Sequence, residues 1–225
     1  MDVLIILTAT VNVNTNKDFL FQTDKTERIN TYIKSVLSWL KNTTFNIVLI
    51  DNSGYEFNEL HIEKYNYRHR FDVITFNEST LDEAQYLKNN KSKGASEIFA
   101  INYAYKYVTE HKYNIEHNPK KFFIIKVTAR FFILELESYL KLFNLNGFDC
   151  LTQHNRDRCE MVGCHYKNFS DIFDIHLINE NNQYDEHIER IWKMRTSRYS
   201  RVLVCKEFKI ESTQRGGLNE KYDTI

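Results

Sequence analysis

The chain is poor in the residues that punctuate flexible proteins. Its 225 residues include one proline and six glycines, too few for a hinged chain with several linkers. It has no excess of charge: 30 basic side chains face 30 acidic ones. That balance lacks the basic surplus of a nucleic-acid-binding domain, and no nucleic-acid partner is expected. The four cysteines (Cys150, Cys159, Cys164 and Cys205) form no CxxC pair. A zinc site is therefore not expected, and reduced thiols in a cytoplasm are the simpler reading. His154, His165, His176 and His187 show no metal-ligand spacing either. No apolar run approaches the ~20 residues of a membrane span. Residues 3–7 (VLIIL) lack the length and basic flank of a secretory leader. A cytoplasmic protein with at most peripheral membrane association is expected. GxGxxG and GxxxxGK[ST] are both missing, which argues against a dinucleotide fingerprint and a P-loop.

What is present suits one α/β domain. Hydrophobic residues make up 42% of the chain and aromatics 14%, enough for a sizeable core. Residues 2–10 (DVLIILTAT) are a near-continuous apolar run ending in small hydroxyl side chains, as in a strand buried on both faces of a parallel sheet. After a polar loop, Thr23 or Asp24 can cap a helix in which Ile29, Ile33, Val36, Leu37 and Leu40 share a face. Residues 46–51 (NIVLID), 71–76 (FDVITF) and 121–127 (KFFIIKV) read as strands. Residues 92–111, striped by Ile98, Ile101, Tyr105 and Val108, and residues 134–143 read as helices. Pro119 falls in a loop between helix and strand. Strand and helix thus alternate over the first 145 residues, which predicts a mostly parallel sheet with helices on both faces. Further on, residues 149–152, 161–166 and 201–210 read as strands, 168–178 and 184–198 as helices, and 214–225 as a polar tail.

Ligands of open parallel sheets bind beyond the carboxyl ends of the strands. Three such ends turn polar: Thr8-Ala9-Thr10, Asp51-Asn52-Ser53 and Thr128-Ala129-Arg130. Asp51 can accept hydrogen bonds from a base or ribose, or serve as an ordinary turn residue in Asp-Asn-Ser-Gly. Lys93-Gly94-Ala95-Ser96-Glu97 opens a helix, where free N–H groups, a small residue and a cation suit a diphosphate. Glu97 can equally complement the helix dipole. Lys126, inside an apolar strand, either reaches an anion or pairs with a buried carboxylate. Arg130 can fork onto a phosphate or a carboxylate. Glu160, Asp185 and Glu186 are the candidates for proton abstraction. For Asp185 and Glu186, compensation of a helix dipole is the plainer alternative.

The ordered set ILTATVN, IDNSG, KGASE, IIKVTARF and RGGLNE, from Leu4 to Glu220, resembles a group of small GT-A-like glycosyltransferases encoded in bacterial surface-polysaccharide loci and in some large DNA viruses. The resemblance implies a GT-A-like α/β sandwich and a hexosyltransferase-like enzyme with a nucleotide-sugar donor and a glycan or lipid-linked glycan acceptor. Residues 1–145 would form the donor half and 146–225 the acceptor half. Thr8 and Thr10 would line the nucleotide, and Asp51, Asn52 and Ser53 would contact base or ribose. Lys93, Gly94 and Glu97 would border the diphosphate or sugar. Asp185 or Glu186, with Glu160 as second choice, would take the acceptor proton, and the Arg215-Gly216-Gly217 turn would fold over the donor or be a plain turn. Thr128-Ala129-Arg130 stands where GT-A enzymes carry an Asp-x-Asp metal motif. Mg²⁺ or Mn²⁺ is therefore not favoured as the source of positive charge, and Arg130, Lys126 and Lys93 are expected to supply it. Two rivals are a nucleotidyltransferase, which would want a glycine-rich loop where residues 8–23 have no glycine, and a nonenzymatic nucleotide- or glycan-binding protein with a degenerate site.

Overall fold

A computed structural model describes residues 1–18, 20–112, 121–217 and 219–225; the loop expected around Pro119 lies outside them. Strand β1 (Asp2–Ala9) is followed by helix α1 (Lys25–Asn42), β2 (Asn46–Asp51), α2 (His61–Asn66), β3 (Phe71–Thr75), α3 (Lys93–Tyr107) and β4 (Phe122–Thr128). Then come α4 (Leu136–Leu140), β5 (Cys150–Thr152), β6 (Met161–His165), α5 (Phe169–Ile172), α6 (Ile188–Ser197), β7 (Val202–Val204), β8 (Lys209–Gln214) and β9 (Lys221–Thr224). The first seven strands by position form one sheet in the order β3-β2-β1-β4-β6-β5-β7, and β8 and β9 form a separate hairpin. β3, β2, β1 and β4 are parallel neighbours. β6 runs against both β4 and β5, and β7 is parallel to β5. The expected mostly parallel sheet with helices on both faces is present.

Successive strand residues point to opposite faces, and both faces of this sheet are apolar. Val3, Ile5 and Leu7 of β1 join Phe123 and Ile125 of β4 in the layer covered by α1, α4 and the β8–β9 hairpin. Leu4 and Ile6 join Phe122 and Ile124 in the layer covered by α3, α5 and α6. Two-sided burial explains why these strands read as continuous apolar runs. Asp24 caps α1 by accepting from Glu27 N, and Ser92 caps α3 by accepting from Ala95 N. The inner face of α1 is turned from the expected stripe: Arg28, Tyr32, Ser35, Val36, Trp39 and Leu40 are buried, with Ile29, Ile33 and Leu37 only flanking them.

Local pattern fails where tertiary partners claim the backbone. The helix expected over 168–178 stops at Ile172, because Arg195 takes the carbonyls of Ile172, Asp174 and His176. The helix expected over 184–198 starts only at Ile188. Tyr184 bridges Ile178, Asp185 N donates to Leu177 O, and Glu186 O accepts from Ser92 Oγ. Asp185 and Glu186 therefore precede the helix. The 134–143 segment keeps only α4 between turns. The strand expected over 201–210 splits in two. Its first part ends with its three-residue partner β5, and Phe208 then exchanges both backbone hydrogen bonds with Ile225, starting the hairpin in the expected polar tail.

Gly163 sits in the β4–β6 pairing, where an added Cβ would lie 2.8 Å from the Ile124 carbonyl oxygen and 3.0 Å from Ile125 Cγ1. Gly163→Ala is expected to destabilise the protein by about 1–3 kcal/mol, as overpacking of a close-packed layer does. A urea-unfolding midpoint equal to that of the unmodified protein would count against this packing.

Candidate active site

A cleft of ≈ 1050 Å³ opens at the carboxyl ends of the parallel strands. Its floor follows from strand alternation. Thr8, Lys126 and Thr128 share the α3-facing side of β1 and β4, and β1 and β4 pair in register there. Thr8 Oγ1 donates to Glu97 Oε1 at 2.7 Å, and the Lys126 ammonium lies 2.8 Å from the same oxygen. Lys126 also donates to Cys159 O and Thr128 Oγ1, and stacks over Trp192. Burial works against its charge, but the Glu97 carboxylate holds the ammonium above its ordinary value. Lys126 is wholly buried and does not line the cleft. It is an internal ion-pair partner, and its expected contact with a ligand anion is corrected accordingly. Thr8, Glu97 and Thr128 do line the cleft.

The wall at the end of β2 holds Thr10, Asn52 and Ser53, as expected. Asp51 does not face it. This side chain is fully buried, and its carboxylate accepts from the N–H groups of Val11, Ser53 and Tyr55 and from Ser53 Oγ. Burial nonetheless raises its pKa, against those hydrogen bonds. Asp51 is the turn organiser, not a base or ribose contact. Behind the wall, Asn52 Nδ2 donates to Glu78 Oε2 at 2.9 Å, and Ser96 Oγ donates to Glu78 Oε1. Lys17 pairs with Glu78 at 3.1 Å, which ties the loop after β1 to α3. Lys17 and Glu78 carry no sequence signal, because neither stands at a strand end.

Cations gather at the end of β4. Arg130 is buried, and its Nη1 donates to two neutral oxygens, Gln22 Oε1 at 3.3 Å and Gln214 O at 3.1 Å. Among the described residues no carboxylate pairs with it. Lys93, at the start of α3, has its pKa lowered by burial; Glu189 and Glu97 oppose that shift, while the Arg215 and Arg130 guanidinium groups reinforce it. Lys93, Arg130 and Arg215 all line the cleft, as does Arg28, which has no strand-end signal in the sequence. Arg28 donates to Thr10 O, Gln22 O and Tyr32 OH, and so binds the loop after β1 to α1. Gly94 lines the cleft too, but an added Cβ would meet Ile188 Cβ at 2.5 Å. Its smallness is therefore accounted for by the seating of α6 on α3. Arg215, Gly216 and Gly217 form the tip of the β8–β9 hairpin at the rim, and Gly216 O accepts from Phe21 N and Gln22 N.

The opposite wall carries Glu160, Glu186 and Glu189. Glu160 is buried, accepts from Gln153 Nε2 at 3.1 Å and lies 4.0 Å from Arg215 Nε. Glu186 is exposed and faces His187 at 3.8 Å. Asp185 lines no part of the cleft; its Oδ1 accepts from His187 N, which makes it a turn residue before α6. The Cys159 thiol also lines the cleft, but burial pushes its pKa well up, so it is a poor nucleophile.

The GT-A resemblance raises the question of a divalent metal at the end of β4. The residues there do not fit one. Hard cations want several carboxylate or carbonyl oxygens, whereas this position presents the Arg130 guanidinium. Among the described residues no group of three or more His, Cys, Asp or Glu is placed to hold a metal.

No protein-family model matches the sequence, and a search of curated proteins finds no significant match. Solved structures do match. The glycosyltransferase GlyE of Streptococcus pneumoniae TIGR4 superposes with a TM-score of 0.52 at 8% identity, over 92% of this chain and 45% of GlyE. TarS of S. aureus gives a TM-score of 0.48 at 12% identity, over 91% of this chain and 58% of that one. The chain thus spans less than half of GlyE's length. The likeness is one of fold: a GT-A-like α/β architecture with a mixed, mostly parallel seven-stranded sheet. No described helix is long and apolar enough to cross a membrane.

Lys126→Met would leave the Glu97 carboxylate in the cleft floor with Thr8 alone. Removing one partner of a buried pair costs about 3–5 kcal/mol, whereas an apolar replacement of both is close to neutral. Denaturant unfolding should show the full loss for Lys126→Met and recovery of most of it in Lys126→Met/Glu97→Gln. An additive double variant would mean the two side chains do not act as a pair.

Proposed function

We propose that the chain is a glycosyltransferase that moves a sugar from a nucleotide-sugar donor to a hydroxyl of a glycan or lipid-linked glycan, in surface glycan synthesis. One observation carries this reading. Arg130 is buried at the end of β4, where its hydrogen-bond partners among the described residues are all neutral, and Lys93 and Arg215 share its cleft. A buried guanidinium without a carboxylate favours an anionic ligand, and a GT-A-like cleft of ≈ 1050 Å³ has room for a nucleotide-sugar. In this reading Thr10, Asn52 and Ser53 border the nucleoside, and Thr8, Thr128 and Glu97 border the sugar. Residues 1–145 supply most of the donor side and 146–225 the acceptor side.

The chemistry is a displacement at the anomeric carbon. The acceptor oxygen bonds to that carbon, its proton passes to a carboxylate of the opposite wall, and the carbon–oxygen bond to the diphosphate breaks with its electrons going to the diphosphate. Lys93, Arg130 and Arg215 stabilise the charge that develops there, which is the preorganised electrostatic form of catalysis.

Nucleotide release should be followed over a panel of UDP-, GDP-, dTDP- and CMP-sugars. Release from one donor class supports the proposal; stabilisation of the protein by a nucleotide without release would instead favour a nonenzymatic binding protein. Arg130→Gln should lower kcat/KM by about 10²–10³-fold, the usual cost of losing one charge-stabilising donor. Activity should persist in EDTA, since three side-chain cations face the diphosphate, and complete loss on chelation would contradict that assignment.

A further inference from the structure

Seven carboxylates line the cleft, and most have their lone pairs spent. Glu78 is held by Lys17, Asn52 and Ser96. Glu97 is held by Thr8 and Lys126. Glu160 accepts from Gln153 and faces Arg215, and Asp157 is paired with Lys193. Asp18 is exposed in the loop after β1, and Glu186 is exposed beside His187. Glu189 differs from all of these. It is half-buried in the first turn of α6 and faces the cleft, and among the described residues no hydrogen bond or ion pair engages its carboxylate.

Its position is fixed all the same. Ile188, the residue before it, packs on Gly94 so closely that a Cβ there would lie 2.5 Å from Ile188 Cβ. This contact seats the first turn of α6 on the first turn of α3, where Lys93 stands. Glu189 is the charge that most strongly opposes the burial-driven lowering of the Lys93 pKa. The carboxylate is thus at the cationic end of the cleft, beside Lys93, where the proposed reaction places the diphosphate and the anomeric carbon, and among the described residues no salt bridge or hydrogen bond takes up its lone pairs. A base needs a free lone pair within hydrogen-bond reach of the proton it takes.

We infer that Glu189 is the catalytic base of the transfer reaction, an assignment that rests on the glycosyltransferase reading above. The acceptor O–H bond breaks and its proton goes to the Glu189 carboxylate, while the acceptor oxygen bonds to the anomeric carbon. The bond from that carbon to the diphosphate breaks, and its electron pair leaves with the nucleoside diphosphate. The protonated Glu189 then returns its proton to water. Gly94 acts as a positioning residue for it through Ile188.

The test is the kinetics of Glu189→Gln in the full chain, with the donor that the panel identifies. Loss of a general base lowers kcat by about 10²–10⁴-fold. Because no hydrogen bond engages Glu189 among the described residues, donor affinity and thermal stability should stay near the unmodified values. Glu189→Asp should recover part of kcat. Gly94→Ala should lower kcat more than it raises the donor KM, by shifting α6. Turnover by Glu189→Gln close to that of the unmodified enzyme overturns the assignment and leaves the transferase reading standing. Loss of donor binding together with kcat also overturns it, because the residue would then belong to the donor site. If the unmodified protein releases nucleotide from no donor, the transferase reading itself fails, and the assignment falls with it.

Discussion

An ammonium with no access to water, in the middle of the strand FFIIKVT, is the constraint around which the cleft is built. Lys126 can stay charged there only with an anion at hand, and Glu97 of α3 supplies it at 2.8 Å. The pair therefore fixes where α3 begins relative to β4, and Thr8 joins β1 to the same oxygen. Replacing such a pair with apolar side chains is often neutral or stabilising, so stability alone does not account for keeping it. What it provides is a polar, oriented floor beneath the cleft. The raised pKa of Lys126 carries a definite sign. Its contribution to stability is fully present below the pH at which an unfolded lysine titrates, and it is lost only as pH rises through the still higher folded value. The floor is thus intact across the neutral range.

Much of this architecture was legible in the sequence, for a simple reason. Strands buried on both faces read as unbroken apolar runs, and β1, β2 and β4 were located within a residue or two at each end. The cap at Asp24, one of the two residues the sequence offers there with Thr23, is also local, since one side-chain oxygen and one nearby N–H define it. The failures share a different cause. Residues 184–187 have helical neighbours, but their backbone groups bond to Leu177 and Ser92. The Arg195 guanidinium takes three carbonyls that a longer α5 would have used. No periodicity within a segment reports a hydrogen bond to a distant one.

The site divides in the same way. Strand ends point to Thr8, Thr10, Asn52, Ser53, Thr128 and Arg130, and all six line the cleft because topology brings those positions to one edge. They do not separate structural charges from open ones. Asp51 and Arg130 look alike in sequence, each a charge at the end of an apolar strand. Asp51 is saturated by three N–H groups and one hydroxyl, whereas the hydrogen bonds of the Arg130 side chain to described residues go to a carbonyl and an amide oxygen. The difference lies in the partners that distant segments bring to each charge. Arg28 was missed for the converse reason. A position in the first turn of a helix reads as solvent-facing until the loop before it folds back and offers Thr10 O and Gln22 O.

The surroundings of Arg130 show how distant segments combine into one charge site. Gln22 receives Arg28 on its carbonyl and Arg130 on its side-chain oxygen, and its N–H donates to Gly216 O at the tip of the hairpin. Gly216 in turn lies so close that a Cβ would sit 2.5 Å from Arg130 Nη2. The loop after β1, the end of β4 and the β8–β9 hairpin therefore meet at one guanidinium. None of the three donates a carboxylate, so the assembly concentrates positive charge without neutralising it. Keeping the Arg130 guanidinium buried with no carboxylate partner among the described residues costs stability, and an anionic ligand recovers part of that cost when it binds. The same argument explains why the acidic side chains of the cleft are held away from Arg130: Glu78 by Lys17, Glu97 by Lys126, and Glu160 at 4.0 Å from Arg215 with Gln153 on its other oxygen. Each of these carboxylates has a partner of its own, which leaves the guanidinium of Arg130 open to a ligand.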